Sequence, residues 1–401
     1  MNLSEAQELE AKHLLSLYLP IRFPIVIARG QGTRLWDTEG REYLDLISGG
    51  RAVMGLGHSH PRVVAAVREQ VGTLIHVSND FYTEPQLALA RRLSELTGGM
   101  RAFFCNSGAE ANEAALKLAR KHARAVATDK IEIITAYHSF HGRTYGALAA
   151  TGQQKYHAGF EPLVPGFRYI PFNDREALEK SFGPQTCAVM LEPVLGESGV
   201  FPADAEFLRL ARRLCDRHQA LLLLDEVQTG LGRTGRMFAY QHYGIEPDVI
   251  TLAKSLGGGV PIGAMLAREP AASTFAPGDH ASSFGGSALP AAAALAALDA
   301  IEQEGLVENA RTVGAYFLER LQALGREQPV IREVRGLGMM LAVDLNKPLA
   351  GAIKLACLAR GVLINTVGDS MLRLVPALIL TREDVDQGVS AMAAALAEVG
   401  A

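Results

Sequence analysis

The sequence predicts an α/β protein: a mostly parallel sheet with helices on both faces, followed by a smaller α+β C-terminal unit. Three observations carry that prediction. From about His60 onward, short apolar strands alternate with helices, the arrangement that builds a parallel sheet covered by helices. The strands are rich in β-branched residues and leucine and do not alternate with polar residues, as suits strands buried on both faces. After a Gly- and Ser-rich turn at Ser282–Ser287, the chain changes to long helices and then to the stretches VRGLGMMLAVDL and LRLVPAL.

In chain order, the first forty residues give a short helix, Pro20 and Pro24, then the apolar stretches IVIARG and TRLWD separated by Gly30 and Gly32. The predicted strands are Ala102 to Cys105, Ile131 to Thr135, Phe167 to Ile170, Ala188 to Leu191, Leu221 to Leu224 and Val249 to Leu252. The long helices are expected over Pro290 to Glu304 and Glu308 to Gly325. The expected organisation is an N-terminal segment over 1–55 that packs with the small domain, a large domain over 56–288 and a small C-terminal domain over 289–401.

Composition narrows the function. Of 401 residues, 48% are hydrophobic, enough for a large core, and 39 Lys and Arg against 43 Asp and Glu leave a formal charge of −4 with no basic run. Nucleic acid is therefore not an expected partner. Cys105, Cys187, Cys215 and Cys357 are too scattered for paired metal ligands and too few for a disulfide framework, so they read as buried thiols in a reducing cytoplasm. The acidic start MNLSEAQELEAKHLL does not resemble a signal peptide, and the apolar stretches fall short of the ~20 residues of a membrane helix. A cytoplasmic location with no membrane partner is the expectation.

The most informative pair is Asp225 and Lys254, each just after a buried strand, in LLLLDE and DVITLAK. Ligands of open α/β sheets bind outside the carboxyl ends of the strands, so both side chains would reach one site. An acid and an amine on the same rim are what pyridoxal phosphate requires: the lysine bonds to the aldehyde and the carboxylate keeps the pyridine nitrogen protonated. FFCNSGAEANEAALKLARKHA offers a phosphate cradle, with Ser107, Gly108 and Ala109 at the start of a helix whose N–H groups and dipole attract anions. The same residues also read as an ordinary N-cap, with Asn106 or Ser107 capping and Glu110 or Glu113 near the first turn.

YHSFHGRT places Phe140 as a plate for a flat ring. His138 and His141 are spaced like metal ligands on a helix, but no helix signal surrounds Gly142 and no third ligand is near, so no metal is expected. Gly-Leu-Gly-Arg-Thr-Gly at 230–235 is a literal dinucleotide fingerprint, with Asp248 at a plausible distance, and opens the alternative of an NAD-dependent dehydrogenase. The following MFAYQHYGIEPD is a poor helix, so the strand–turn–helix that a pyrophosphate needs is not expected. Glu192 and Glu197 sit in LEPVLGESG after another strand. Arg143, Arg373 and Glu197 together suit dicarboxylate recognition, with Glu197 neutralising one arginine when a different substrate binds.

Over nearly its whole length the chain resembles the class III aminotransferases of PLP fold type I, nearest to the N-acetylornithine aminotransferases. The segments that carry the resemblance include LWDTEGREYLDLISG, GHSHP, SNDFYTEPQ, FFCNSGAEANEAALKLAR, SFHGRTYGALAATGQQKY, LEPVLGESGV, LLLLDEVQTGLGRTGRMFAYQHYGIEPDVITLAKSLGGGVPIGAML, SSFGG, VRGLG and LRLVPAL. The resemblance implies a PLP-dependent aminotransferase that moves the terminal amine of N-acetylornithine, or a related ω-amine, to 2-oxoglutarate.

On that resemblance Lys254 is the Schiff-base lysine and the base, and Asp225 the partner of the pyridine nitrogen. Gln228 contacts the ring hydroxyl, while Phe140 and Val227 sandwich the ring. Ser107, Gly108 and Ala109 hold the phosphate, with Ser283 from a partner subunit. Arg143 receives the α-carboxylate of the donor, Arg373 that of 2-oxoglutarate, and Glu197 switches beside Arg373. A homodimer with shared sites follows. The resemblance also leaves open ornithine, 4-aminobutyrate, succinyldiaminopimelate or a carrier-linked lysine precursor as donor, or racemisation or decarboxylation in place of transfer.

The sequence departs from the family's usual wording at Ala109 and Ser283, both where Thr is frequent, and at Leu195, Ser287 and Ala377. SGGRAVMGLGH is one residue longer than a usual SGIAVNALGH and contains Arg51, which either binds a second carboxylate on the amine or points to solvent.

Overall fold

The computed structural model describes residues 1–18 and 21–400. Its centre is a seven-stranded sheet in the order Arg101–Cys105, Gly263–Ala267, Val249–Leu252, Leu221–Asp225, Thr186–Leu191, Glu132–Ala136, Phe167–Ile170. Only Gly263–Ala267 runs antiparallel to its neighbours; the other six strands share one direction. Every residue of the strands Leu221–Asp225, Val249–Leu252 and Thr186–Leu191 is buried, which is why they read as unbroken apolar runs.

All six predicted strands are present, with ends shifted by at most two residues, and Gly263–Ala267 is an additional strand that the sequence does not predict. A Cβ on Gly263 would sit 2.4 Å from the Ser107 carbonyl oxygen, so the strand begins with a residue that carries no strand signal.

The helix Gly108–Arg124 lies against this sheet through a mostly small-residue face, Ala111, Ala114, Ala115 and Ala119 with Leu118, all buried. Ser107 caps it by accepting from the Glu110 amide at 3.2 Å, and Lys121 and Arg124 complement the dipole at its far end. On the other face, the alanine-rich helix Ala288–Gln303 packs closely on Pro61–Thr73 and Glu84–Leu96. It and the next helix, Leu306–Glu327, differ from their predicted bounds by no more than two residues at either end.

The C-terminal sheet is antiparallel, in the order Ile331–Leu337, Met340–Leu345, Met371–Leu374, Asn365–Thr366. A third sheet joins the two ends of the chain: Ile27–Gln31, Arg34–Asp37 and Glu42–Asp45 are antiparallel, and Val362–Leu363 adds in parallel to Glu42–Asp45. All four cysteines are buried. Among the described residues no helix is long and apolar enough to cross a membrane.

Gly338, in the tight turn between Ile331–Leu337 and Met340–Leu345, has φ +58°. A Cβ there would lie 2.5 Å from the Thr234 carbonyl carbon, where only backbone stands in the way. Gly338→Ala is therefore expected to lower stability by about 3 kcal/mol, from strain and overpacking together, measured as a fall in the urea midpoint.

Candidate active site

Most of the residues singled out in the sequence converge because they lie at or beyond the carboxyl end of a strand in the central sheet; Arg373, in the C-terminal sheet, and Ser283 do not. Ser107 follows Arg101–Cys105, Phe140 and Arg143 follow Glu132–Ala136, Asp225 ends its own strand, and Lys254 follows Val249–Leu252. Glu192 and Glu197 follow Thr186–Leu191, and Glu197 sits in the turn of a small hairpin, Val194–Leu195 with Phe201–Pro202. They surround a cavity of about 450 Å³. Ser107, Gly108, Ala109, Phe140, Arg143, Glu197, Asp225, Val227, Gln228 and Lys254 all line it.

Lys254 is the sole lysine among the described lining residues. It opens a short 3₁₀ turn with φ +40°, a conformation that a residue with a side chain adopts rarely and that clusters at functional positions. Burial, reinforced by the Arg373 charge and opposed by Glu197, lowers the pKa of its ammonium from the usual lysine value. A larger fraction of the amine is then neutral and nucleophilic.

Asp225 is buried and held by three contacts. Oδ2 accepts from Asn112 Nδ2 at 2.8 Å and lies 2.8 Å from His141 Nδ1, while Oδ1 accepts from the Val227 amide at 3.0 Å. Asn112 is itself fixed, since Thr251 Oγ1 donates to its Oδ1 at 2.7 Å and its Nδ2 also donates to the His141 carbonyl. The carboxylate is thus oriented before anything binds it.

Asn112 and Thr251 carry no functional signal in the sequence, and the spacing of His141 suggests only a metal ligand, whereas the fold uses its ring to hold Asp225. Glu192 has a comparable supporting part. It accepts from the Phe140 amide at 2.8 Å and the Gly196 amide at 3.3 Å, and burial raises its pKa.

The amides of Gly108 and Ala109 precede the first intrahelical hydrogen bond, and both residues line the cavity, so the N-cap and the candidate anion cradle coincide. Gly108 is glycine because a Cβ would lie 2.8 Å from Val227 Cγ1. Arg143 is exposed at the mouth and stacks on Tyr156, its guanidinium carbon 3.9 Å from the ring centroid. Arg373 is buried behind the cavity, with Nη1 donating to Glu197 Oε1 at 2.8 Å and to the Gly196 carbonyl at 3.0 Å.

Arg373 and its neighbours pull the Glu197 carboxyl down to about 2 against the effect of burial, so it is ionised throughout the neutral range. Ser283 is exposed on the Gly- and Ser-rich turn and is not among the lining residues of this chain's own cavity.

A nucleophilic amine, a preset carboxylate and a helix N-terminus around one cavity define an enzyme that handles amines through a phosphorylated aldehyde cofactor. The class III aminotransferase family model matches residues 20–396, and the chain belongs to that family. It is 49% identical to the acetylornithine aminotransferase of Caldanaerobacter subterraneus over 97% of this chain and 98% of the relative. It is 47% identical to that of Methanocaldococcus jannaschii over 98% of each.

Among solved structures, ornithine aminotransferase from Toxoplasma gondii superposes with a TM-score of 0.95 at 32% identity, covering 100% of this chain and 96% of that one. N-acetylornithine aminotransferase from Stenotrophomonas maltophilia does so with a TM-score of 0.83 at 43% identity, covering 96% and 99%.

The enzyme is a transaminase that uses pyridoxal 5′-phosphate, an amine donor and a keto-acid acceptor. The site fits that cofactor. Gln228 Oε1 is buried at the cavity wall with no hydrogen-bond partner among the described residues, an acceptor in want of a hydroxyl. The alternative of an NAD-dependent dehydrogenase is corrected by the family membership and by local geometry. Residues 230–235 form successive turns, followed by a single 3₁₀ turn at Ala239–His242 where a pyrophosphate needs the N-terminus of a full helix.

Proposed function

We propose that the enzyme transfers the terminal amine of N-acetylornithine to 2-oxoglutarate, giving a semialdehyde and glutamate, as a step of arginine biosynthesis. The observation that carries this reading is the 49% identity, over 97% of the chain, to a relative named acetylornithine aminotransferase.

Pyridoxal phosphate, when bound, supplies an aldehyde that takes up the amine and a ring that accepts the electrons of the adjacent carbon. Lys254 would provide the amine that holds the cofactor, and its neutral amine would serve as the base that moves the proton at the substrate carbon. Asp225 would hold the proton on the ring nitrogen, and its fixed pairing with Asn112 and His141 supports that role. Phe140 and Val227, which line the cavity, would flank the ring, and Gln228 would meet its hydroxyl. Ser107, Gly108 and Ala109 take the phosphate, joined by Ser283 of a second copy of the chain, whose exposed position supports a shared-site homodimer.

Arg143 orients the donor's α-carboxylate at the mouth. Arg373 takes the α-carboxylate of 2-oxoglutarate after Glu197 leaves it, and Glu197 covers Arg373 while the donor reacts. We further infer a cytoplasmic enzyme and the three-part division at residues 55 and 288. The pairing of Glu42–Asp45 with Val362–Leu363 supports assigning the N-terminal segment to the small domain.

The ornithine aminotransferase that superposes at a TM-score of 0.95 favours ornithine as the second reading. The test is kcat/KM for N-acetylornithine against ornithine and 4-aminobutyrate with 2-oxoglutarate fixed. We expect N-acetylornithine to lead by at least about tenfold, or about 1.4 kcal/mol of transition-state discrimination. A lead for ornithine would replace the donor and leave the aminotransferase intact.

A further inference from the structure

The backbone of Ser48–Ala52 is held in an unusual shape. Ser48 (φ +46°), Gly49 (φ +69°), Gly50 (φ +109°) and Ala52 (φ +60°) are all left-handed, and two of them carry side chains. Such a segment persists only where its surroundings fix it. Ser48 Oγ donates to the Val375 carbonyl at 2.6 Å, and the Gly49 amide donates to Asp45 Oδ2 at 2.6 Å. Asn365 Nδ2 reaches the Gly50 carbonyl at 3.3 Å, and Ser255 Oγ the Ala52 carbonyl at 3.4 Å. The loop is thus fastened just past the end of the strand of Arg373, through Val375, to the neighbouring strand, through Asn365, which pairs with Arg373, and to the turn of Lys254, through Ser255.

What this shape delivers is Arg51. Its Nη1 lies 2.6 Å from Glu197 Oε2, while Arg373 Nη1 lies 2.8 Å from the other oxygen, Oε1. Glu197 is therefore shared by an inner guanidinium, 2% exposed, and an outer one, 47% exposed, with Gln228 Nε2 donating to it at 3.3 Å. A nearly buried carboxylate stripped of its arginine is costly, because its lost hydration is no longer compensated. With Arg51 on the second oxygen, Glu197 can leave Arg373 and remain paired.

We propose that Arg51 determines acceptor specificity: it is the outer anchor that keeps Glu197 when an incoming dicarboxylate takes Arg373. This rests on the proposed function, in which Arg373 receives the acceptor's carboxylate. Arg51 acts through Glu197 and touches neither the reacting carbon nor the donor. Its removal raises the cost of opening Arg373 to the keto acid and leaves the donor stage, in which Glu197 stays in place, largely as it was.

The test uses the PLP-loaded enzyme carrying Arg51→Gln, Glu197→Gln or both, with each half-reaction followed separately by the absorbance of the cofactor. In Arg51→Gln the 2-oxoglutarate concentration for half-saturation should rise about fivefold, the upper range for a partly exposed ion pair. The donor's value should change less than about twofold, and adding Arg51→Gln to Glu197→Gln should change little further. Calorimetric titration of glutarate, a dicarboxylate that cannot react, should show the same loss of affinity.

Equal effects on both half-reactions, or an undiminished effect in the Glu197→Gln background, would overturn the proposal alone. A loss confined to the donor stage would do so too, and would place Arg51 on a second carboxylate of the amine. Failure of the unmodified enzyme to accept 2-oxoglutarate would overturn the parent reading and this one with it.

Discussion

Lys254→Ala should lower kcat by about 10⁴-fold or more, since one side chain both holds the cofactor and moves the proton, and each role is worth several powers of ten. No other described lysine lines the cavity to replace it. Lys254→Arg should be nearly as inactive. A guanidinium keeps the charge and loses the neutral amine that burial and Arg373 produce at position 254. The fold should survive both changes, and near-unchanged thermal melting would show that the loss is chemical. After borohydride reduction of the unmodified enzyme, peptide mapping should find the cofactor's mass on the peptide that contains Lys254. Turnover within about tenfold of normal in Lys254→Ala would remove the residue from its role.

The second large effect is expected at Asp225. Asp225→Ala should cost about 10³-fold in kcat, because the ring nitrogen loses the carboxylate that keeps it protonated. The buried His141 and Asn112 groups would also lose their shared acceptor, at about 1–3 kcal/mol of stability. Asp225→Asn separates the two effects. The amide keeps the shape and part of the hydrogen bonding and carries no charge, so most of the stability should return while kcat stays low. Recovery of activity along with stability would mean that Asp225 serves only the architecture.

Much of this site is legible in the amino-acid sequence, for a physical reason. Strands buried on both faces announce themselves as apolar runs, and a polar residue that ends such a run stands out, as Asp225 does in LLLLDE and Lys254 does shortly after DVITL. The strand Gly263–Ala267 gives no such signal because the Ser107 carbonyl excludes a side chain at its first position.

The supports of Asp225 are illegible for another reason. Asn112, His141 and Thr251 sit on three separate elements, and nothing local in AEANEAALK marks Asn112 as the residue that turns toward the sheet. Arg51 stands out as an irregularity, yet its two directions are separated only by the fold, which brings Glu197 within 2.6 Å of it. Ser283 belongs to a third kind, since its reading requires a second copy of the chain.

The pairing of Glu42–Asp45 with Val362–Leu363, and of Ser48 with Val375, sets the order in which the molecule can assemble. These contacts span more than three hundred residues, and loop closure over such distances is slow compared with the local strand–helix units of the central sheet. On a ribosome adding residues from the N-terminus, the cofactor-side wall can form while the segment that carries Arg51 still waits for strands not yet synthesised. The side of the pocket that holds Arg51 and Arg373 is thus the last to be completed, and a chain interrupted before residue 362 would carry Lys254, Asp225 and Arg143 without the Arg373–Glu197–Arg51 array.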